Sequence, residues 1–260
     1  SAQVMLALTS RYPETREGHY AMAQLALRAG GFGIALEEAR AAVESAPDWP
    51  EARLLYARAL LLAGRSDEAL EIAGGLADEF DNSVIRLQFA ELLLSAGETA
   101  QAERLLNRVL EQDPGMPEAI RALAFLSLSG EDLDSAREQF QMLRNNPDYR
   151  DEAFYFLGRI AEMESALLQA TRAYSRVTNG SRAVEAQIRT GAIMYEQMDD
   201  PDSALRHLRE FGNANPRFAP EMLLARAELL LRMDRAEDAI RMIDEAIGPD
   251  GINADQNLRN

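Results

Sequence analysis

The chain has no cysteine, a single tryptophan and only two histidines among its 260 residues. Without cysteine there can be no disulfide, no thiol nucleophile and no thiolate metal site. Lysine is missing as well: all 27 basic residues are arginine. That removes lysine Schiff-base chemistry and a phosphate-loop lysine. No stretch approaches the roughly 18 consecutive apolar residues that a membrane-spanning helix needs. Basic charge is also short overall. A net charge of −16 and a pI near 4.6 give no basic footprint for a nucleic acid. Helix breakers are sparse, with ten prolines and sixteen glycines, and β-branched residues are too few for a large sheet. Alanine, leucine, glutamate and arginine fill the space that is left, and these favour helix.

What is present is a period. "ARALLLAGRSDEAL" (57–70) and "ARAELLLRMDRAEDAI" (225–240) say nearly the same thing with Ala69 and Ala239 in register. Between them stand alanines at a near-constant step. The full series is Ala35, Ala69, Ala102, Ala136, Ala170, Ala204 and Ala239, with spacings of 34, 33, 34, 34, 34 and 35. Twelve residues before each lies another small residue: Ala23, Ala57, Ala90, Ala124, Gly158, Ala192 and Ala227. Recurrence at both sites throughout the chain marks an internal repeat.

Each unit predicts two helices of about a dozen residues, with apolar positions every three or four residues. A tight turn separates them, as at Ala29-Gly30-Gly31, Ala63-Gly64-Arg65 and Ala96-Gly97-Glu98. Facing small residues let the paired helices approach closely. Proline at Pro47, Pro114 and Pro216 marks where second helices stop. One pair cannot bury its apolar face alone, so successive pairs must stack.

The pattern resembles the tetratricopeptide repeat (TPR), whose period is 34 residues. The unit "FYFLGRIAEMESALLQATRAY" places Phe154, Leu157, Gly158, Ala161, Ala170 and Tyr174 at the family's aromatic, Leu-Gly, small and aromatic sites. Two departures stand out. The first-helix aromatic is replaced by Arg53, Arg86 and Ile120, and the turn glycine by Ser165, Asp199 and Asp234. The resemblance implies an all-α, right-handed solenoid of about seven helix-turn-helix repeats. They are expected at 16–49, 50–82, 83–116, 117–150, 151–184, 185–219 and 220–249. Residues 1–15, with Met5, Leu8 and Pro13, read as the second helix of a truncated preceding repeat. Residues 250–260 read as the start of a following repeat or a tail.

No constellation suited to catalysis emerges, so no enzyme activity, cofactor or metal is expected. His19 occupies a first-helix aromatic position and His207 a second helix about five repeats on, which suits packed or capping roles. The clusters Glu131-Asp132-Leu133-Asp134 and Asp199-Asp200-Pro201-Asp202 fall at inter-helix turns, where aspartate caps the next helix. They lack the longer, glycine-containing spacing of a calcium loop. Gly30-Gly31-Phe32-Gly33 follows a helix rather than a strand, so it is no phosphate loop. Trp49, at a repeat joint, reads as a packing plug.

A surface is left, and the family's architecture places first helices on the concave face. That implies a groove holding Tyr20, Leu27, Leu54, Leu61, Leu87, Leu94, Phe125, Leu128 and Tyr155, with Arg58, Arg121, Arg159 and Arg189 interleaved. In the fifth and sixth repeats Glu162 and Glu196 replace the leucines found at Leu61, Leu94 and Leu128. These leucines either seal helix against helix or offer pockets to a peptide. The carboxylate clamp of chaperone-binding relatives needs lysine and asparagine on the first helices; Tyr20, Gln24, Leu54 and Arg58 stand there instead. Arginine-only basicity and the "YFLGRIAE…AYSRV" unit resemble the repeat lipoproteins of the proteobacterial outer membrane. Among these are LbcA-like adaptors that deliver cell-wall hydrolases to a carboxyl-terminal processing protease. That resemblance implies a protein-binding scaffold in the periplasm, lipid-anchored through a residue upstream of this chain. A structural scaffold for polysaccharide export, an accessory region of a larger enzyme and a cytoplasmic location remain as alternatives.

The register makes a direct prediction. Ala170→Leu overpacks a helix crossing and is expected to lower stability by about 1–3 kcal/mol, read as a lower urea midpoint.

Overall fold

A computed structural model describes residues 15–247. Among those residues are fourteen α-helices, one 3-10 turn and no strand, so the chain is all-α. The helix expected over 1–15 and the repeat start expected over 250–260 lie outside the described residues. The fold comprises two compact units that divide between Glu131 and Asp132.

The first unit holds α1 (Arg16–Arg28), α2 (Phe32–Ser45), α3 (Pro50–Leu62), α4 (Ser66–Glu79), α5 (Ser83–Ala96), α6 (Thr99–Gln112) and α7 (Pro117–Ser129). They pack as hairpins, α1 on α2, α3 on α4 and α5 on α6, and each hairpin packs on the next. The second unit holds α8 (Leu133–Leu143), α9 (Arg150–Met163), α10 (Leu167–Tyr174), α11 (Ala183–Glu196), α12 (Pro201–Ala214), α13 (Ala219–Arg232) and α14 (Ala236–Ile247). Here α9 pairs with α10, α11 with α12 and α13 with α14, and a 3-10 turn at Pro216–Phe218 leads into α13. First helices also touch within each unit, α1 to α3 to α5 and α11 to α13.

The small residues explain the packing distance. Ala23, Ala35, Ala57, Ala69, Ala90 and Ala102 are fully buried, surrounded by Leu60, Leu76, Leu93 and Leu106. Gly158 shows the constraint most sharply. A methyl group there would stand 2.6 Å from the Tyr174 ring, so glycine is what admits this buried tyrosine. One pair differs from the expected register. In α11 the close approach is made by buried Gly191, where a methyl would lie 3.2 Å from Leu208, while Ala192 is only half-buried. The cause is local: α11 and α12 are joined by four residues, against two or three in the other hairpin turns. The Met198 N–H closes early on the Ile193 carbonyl, and the Asp200 N–H reaches back to that of Met194.

Every turn from a first helix to its second uses a left-handed residue five positions before the repeat alanine. Glycine fills it at Gly30, Gly64 and Gly97; Glu131, Ser165, Asp199 and Asp234 fill it afterwards, with φ between 53° and 60°. The following N–H then bonds five residues back, as from Arg65 to Leu60 (2.9 Å), Glu98 to Leu93 (2.8 Å) and Ala166 to Ala161 (2.8 Å). This closes the last turn of the first helix. Side-chain caps start several helices. Thr15 accepts from Gly18, Asn82 from Val84 and Ile85, Asp132 from Ser135 and Asp200 from Ser203. The acidic turns at Asp132 and Asp200 therefore act as caps.

Helix α10 is shorter than the dozen residues its period predicts. It ends at Tyr174, and residues 175–182 run irregularly through Gly180 with φ 78°. Buried Gln187 of α11 satisfies two carbonyls there, donating to Tyr174 at 3.1 Å and Val177 at 2.7 Å. An uncapped buried carbonyl would otherwise cost about 1–3 kcal/mol.

A left-handed L-residue costs about 1–2 kcal/mol, against which the extra flexibility of unfolded glycine must be set. The Ser165 hydroxyl makes no hydrogen bond among the described residues. Ser165→Gly is therefore expected to stabilise the chain by about 0.5–1 kcal/mol, read as a higher urea midpoint with unchanged helicity.

Candidate functional site

Each unit carries an open cleft on its first-helix side. In the first, α1, α3 and α5 enclose about 390 Å³. Tyr20, Leu54 and Leu61 line it together with Leu55, Leu62 and Leu92, and Arg58 stands at its edge. Leu62 is 47% exposed although its neighbours are packed. Arg58 is exposed and has no hydrogen bond or ion pair among the described residues. Glu51, Glu91, Gln24 and Gln88 complete a polar rim. Tyr20 is braced from behind by Trp49, ring centroids 4.7 Å apart.

The other expected groove residues of this unit are placed differently. Leu87 belongs to the buried core with Ala90, Leu93 and Leu106, and Leu94 packs on that same cluster. Leu27 packs against Ala23, Ala26 and Ala35. Even Leu54, which reaches the cleft wall, is 6% exposed. On α7 the Arg121 guanidinium lies over the Phe125 ring at 4.9 Å, and Leu128 is half-buried.

In the second unit α9, α10 and α11 enclose about 820 Å³. Tyr155, Arg159 and Arg189 meet here with Glu162, Tyr174, Glu185 and Ile188. Tyr155 donates to Glu185 at 2.5 Å, and Tyr174 donates to Glu162 at 3.0 Å. Arg189 grips both oxygens of Glu162, a bidentate pair of the stronger kind. Burial, then the charge of Glu162, pushes the Tyr174 hydroxyl well above the ordinary phenol range. Burial raises Tyr155 too, followed by its bond to Glu185. Both therefore stay protonated and serve as fixed donors. The Arg182 guanidinium covers the rings of Tyr155 and Phe156 at 4.6 and 4.7 Å. Arg159 is exposed and makes no hydrogen bond or ion pair among the described residues, while Ile188 is 40% exposed.

The acids that interrupt the leucine stripe thus have partners: Glu162 with Arg189 and Glu196 with Arg232. The arginines in the aromatic site behave alike. Arg53 reaches Glu79 at 2.6 Å, and buried Arg86 reaches Asp81 at 2.7 Å. His19 bonds Glu38 at 2.7 Å, and half-buried His207 bonds Gln187 at 2.8 Å. Gln187, Glu185 and Ile188 escaped sequence reasoning because the repeat assigns them no role. The only available signal was a polar glutamine inside an apolar helix. The clefts offer apolar pockets and guanidinium groups that have no ion pair among the described residues.

Stacked helix hairpins with small residues at the crossings define the helical-repeat class. Tetratricopeptide-repeat models match residues 20–83 and 93–160, together just over half of the chain. The chain belongs to the tetratricopeptide-repeat family. Rat DnaJ homolog subfamily C member 3 is 27% identical over 212 residues, 75% of this chain and 42% of the relative. The chain thus spans less than half the length of that relative. Among solved structures, PilF of Pseudomonas aeruginosa is similar with a TM-score of 0.57 and 19% identity, covering 79% of this chain and 95% of PilF. A human IFIT1 dimer is similar at 0.56 and 14% identity, covering 94% of this chain and 66% of that one. At these identities the likeness is one of fold.

Burial lowers the pKa of His207, partly offset by the charge of Glu210. The unfolded chain then binds a proton that the folded one refuses. Stability is full above the unfolded value near 6.5 and is lost as pH falls toward the lower folded value. Urea midpoints of the parent are expected to fall more between pH 7.5 and 5.5 than those of His207→Gln, which keeps a donor toward Gln187.

Proposed function

We propose that this chain is a non-catalytic scaffold that holds extended segments of partner proteins along its first-helix clefts. The supporting observation is that both clefts combine apolar pockets with a guanidinium that has no ion pair among the described residues, Arg58 in one and Arg159 in the other. A peptide that buries leucine-sized side chains and presents a carboxylate satisfies both needs. The half-exposed Leu62 and Ile188 are the surfaces that such a partner dehydrates. The repeat boundaries given above, from 16–49 to 220–249, belong to the same reading.

The partner favoured by the sequence's likeness to outer-membrane repeat lipoproteins is a carboxyl-terminal processing protease, with cell-wall hydrolases as the delivered cargo. The periplasm and an anchor outside this chain go with that reading.

The test uses exposed residues so that folding is spared. Arg58→Glu with Leu62→Asp is expected to leave helicity unchanged and to weaken capture of the processing protease about tenfold or more in pull-downs from periplasmic extract. Purified protease should also degrade its hydrolase substrates faster when the parent chain is added. Capture unchanged in the variant removes the first-unit cleft from the proposal, and unchanged proteolysis removes the adaptor role.

A further inference from the structure

In the first five repeats the residue just before the first-helix crossing is Met22, Tyr56, Phe89, Leu123 or Leu157, and in the sixth, where Gly191 makes the crossing, it is Thr190. In the last repeat it is Arg226. A charged side chain has entered a position that the fold fills with packing groups. Arg226 is half-buried, and its Nε is sealed from solvent with no hydrogen-bond partner. A sealed N–H without a hydrogen-bond partner is costly, so its persistence calls for a ligand or a loss of packing demand.

The surroundings favour a ligand. Arg226 lines a cleft of about 400 Å³ formed by α12, α13 and α14, and none of the lining residues belongs to the two first-helix clefts. Five arginines line it, against the carboxylates of Asp202, Asp238 and Glu245. This is a local cationic excess on a chain of net charge −16. Three of the five are engaged. Arg235 and Arg241 both pair with Asp238, and Arg206 donates to the Ser203 hydroxyl at 2.6 Å. Arg209 and Arg226 have neither hydrogen bond nor ion pair among the described residues, and they repel each other. Burial, then the charge of Arg209, lowers the proton affinity of Arg226. Two uncompensated guanidinium groups beside Leu205, Leu230 and Met242 suit a planar or tetrahedral oxyanion carried on a partly apolar segment.

We propose that Arg209 and Arg226 form a binding site for an oxyanion group, carboxylate or phosphoryl, borne by an acidic segment of a partner protein. The site is separate from the first-helix clefts, so either can fail without the other. Each guanidinium offers a fork of N–H donors, and one anion between them cancels their mutual repulsion.

Thermal unfolding in inorganic phosphate, in malonate and in chloride at matched ionic strength tests this. Arg226→Leu restores the residue found at Leu123 and Leu157, so it is expected to fold at least as well as the parent. Arg209→Gln removes the exposed partner without touching the packing. For the parent, phosphate or malonate at about ten times its dissociation constant should raise Tm by roughly 3 °C above chloride. Both variants should lose that increment, and the ion with the larger effect distinguishes the phosphoryl from the carboxylate source. Phosphate also stabilises proteins generally by exclusion, so the comparison with the variants decides. An equal rise in parent and variants, or none in the parent with either ion, overturns the proposal.

Discussion

Helix pairs in this chain can stack only because their axes come close, and they come close only where a side chain is nearly absent. The buried alanines at each crossing set that distance, and Gly158 against Tyr174 shows how little room is spare. Much else follows from it. The alanines fix one face of each helix inward, so larger residues to either side must seal the hairpin or turn toward solvent. The left-handed turn residue brings the second helix back at the angle this contact requires. The clefts are the remainder, where first helices touch yet leave side chains between them unfilled.

The period and the small-residue pairs were legible because they depend on spacing along the chain, which sequence displays directly. The left-handed turn position was legible at Gly30, Gly64 and Gly97. At Glu131 and Ser165 residue type gives no warning, since the backbone is held there by its neighbours rather than by intrinsic preference. Burial was harder. Leu54, Leu61 and Leu87 occupy related faces of their helices, yet Leu87 is core, Leu54 is core with one edge in the cleft, and Leu61 is half-buried. Those differences follow the site within the repeat: Leu54 and Leu87 share one site and are buried, whereas Leu61 shares another with Leu27, Leu94 and Leu128, all half-buried, and assigning both sites to one concave face does not separate them. The extra turn residue before α12 passes the close approach from Ala192 to Gly191.

Charge is arranged with similar economy. Arginine replaces apolar residues at several repeat positions, and most such arginines are tied to an acid or an amide: Arg53 to Glu79, Arg86 to Asp81, Arg189 to Glu162. Because the guanidinium does not titrate in the accessible range, these ties persist at alkaline pH, where lysine would begin to lose its proton. Arg58, Arg159, Arg209 and Arg226, which have no such tie among the described residues, lie at clefts.

The contact between Tyr20 and Trp49 has an optical consequence. Trp49 is the sole tryptophan, and its ring rests on a tyrosine that forms part of the first-unit cleft wall. Whatever displaces Tyr20 changes the dielectric and quenching environment of the indole. The first unit therefore carries a built-in emission probe at its cleft, and the second unit, whose cleft has only tyrosines as aromatic lining, is dark at the same wavelength.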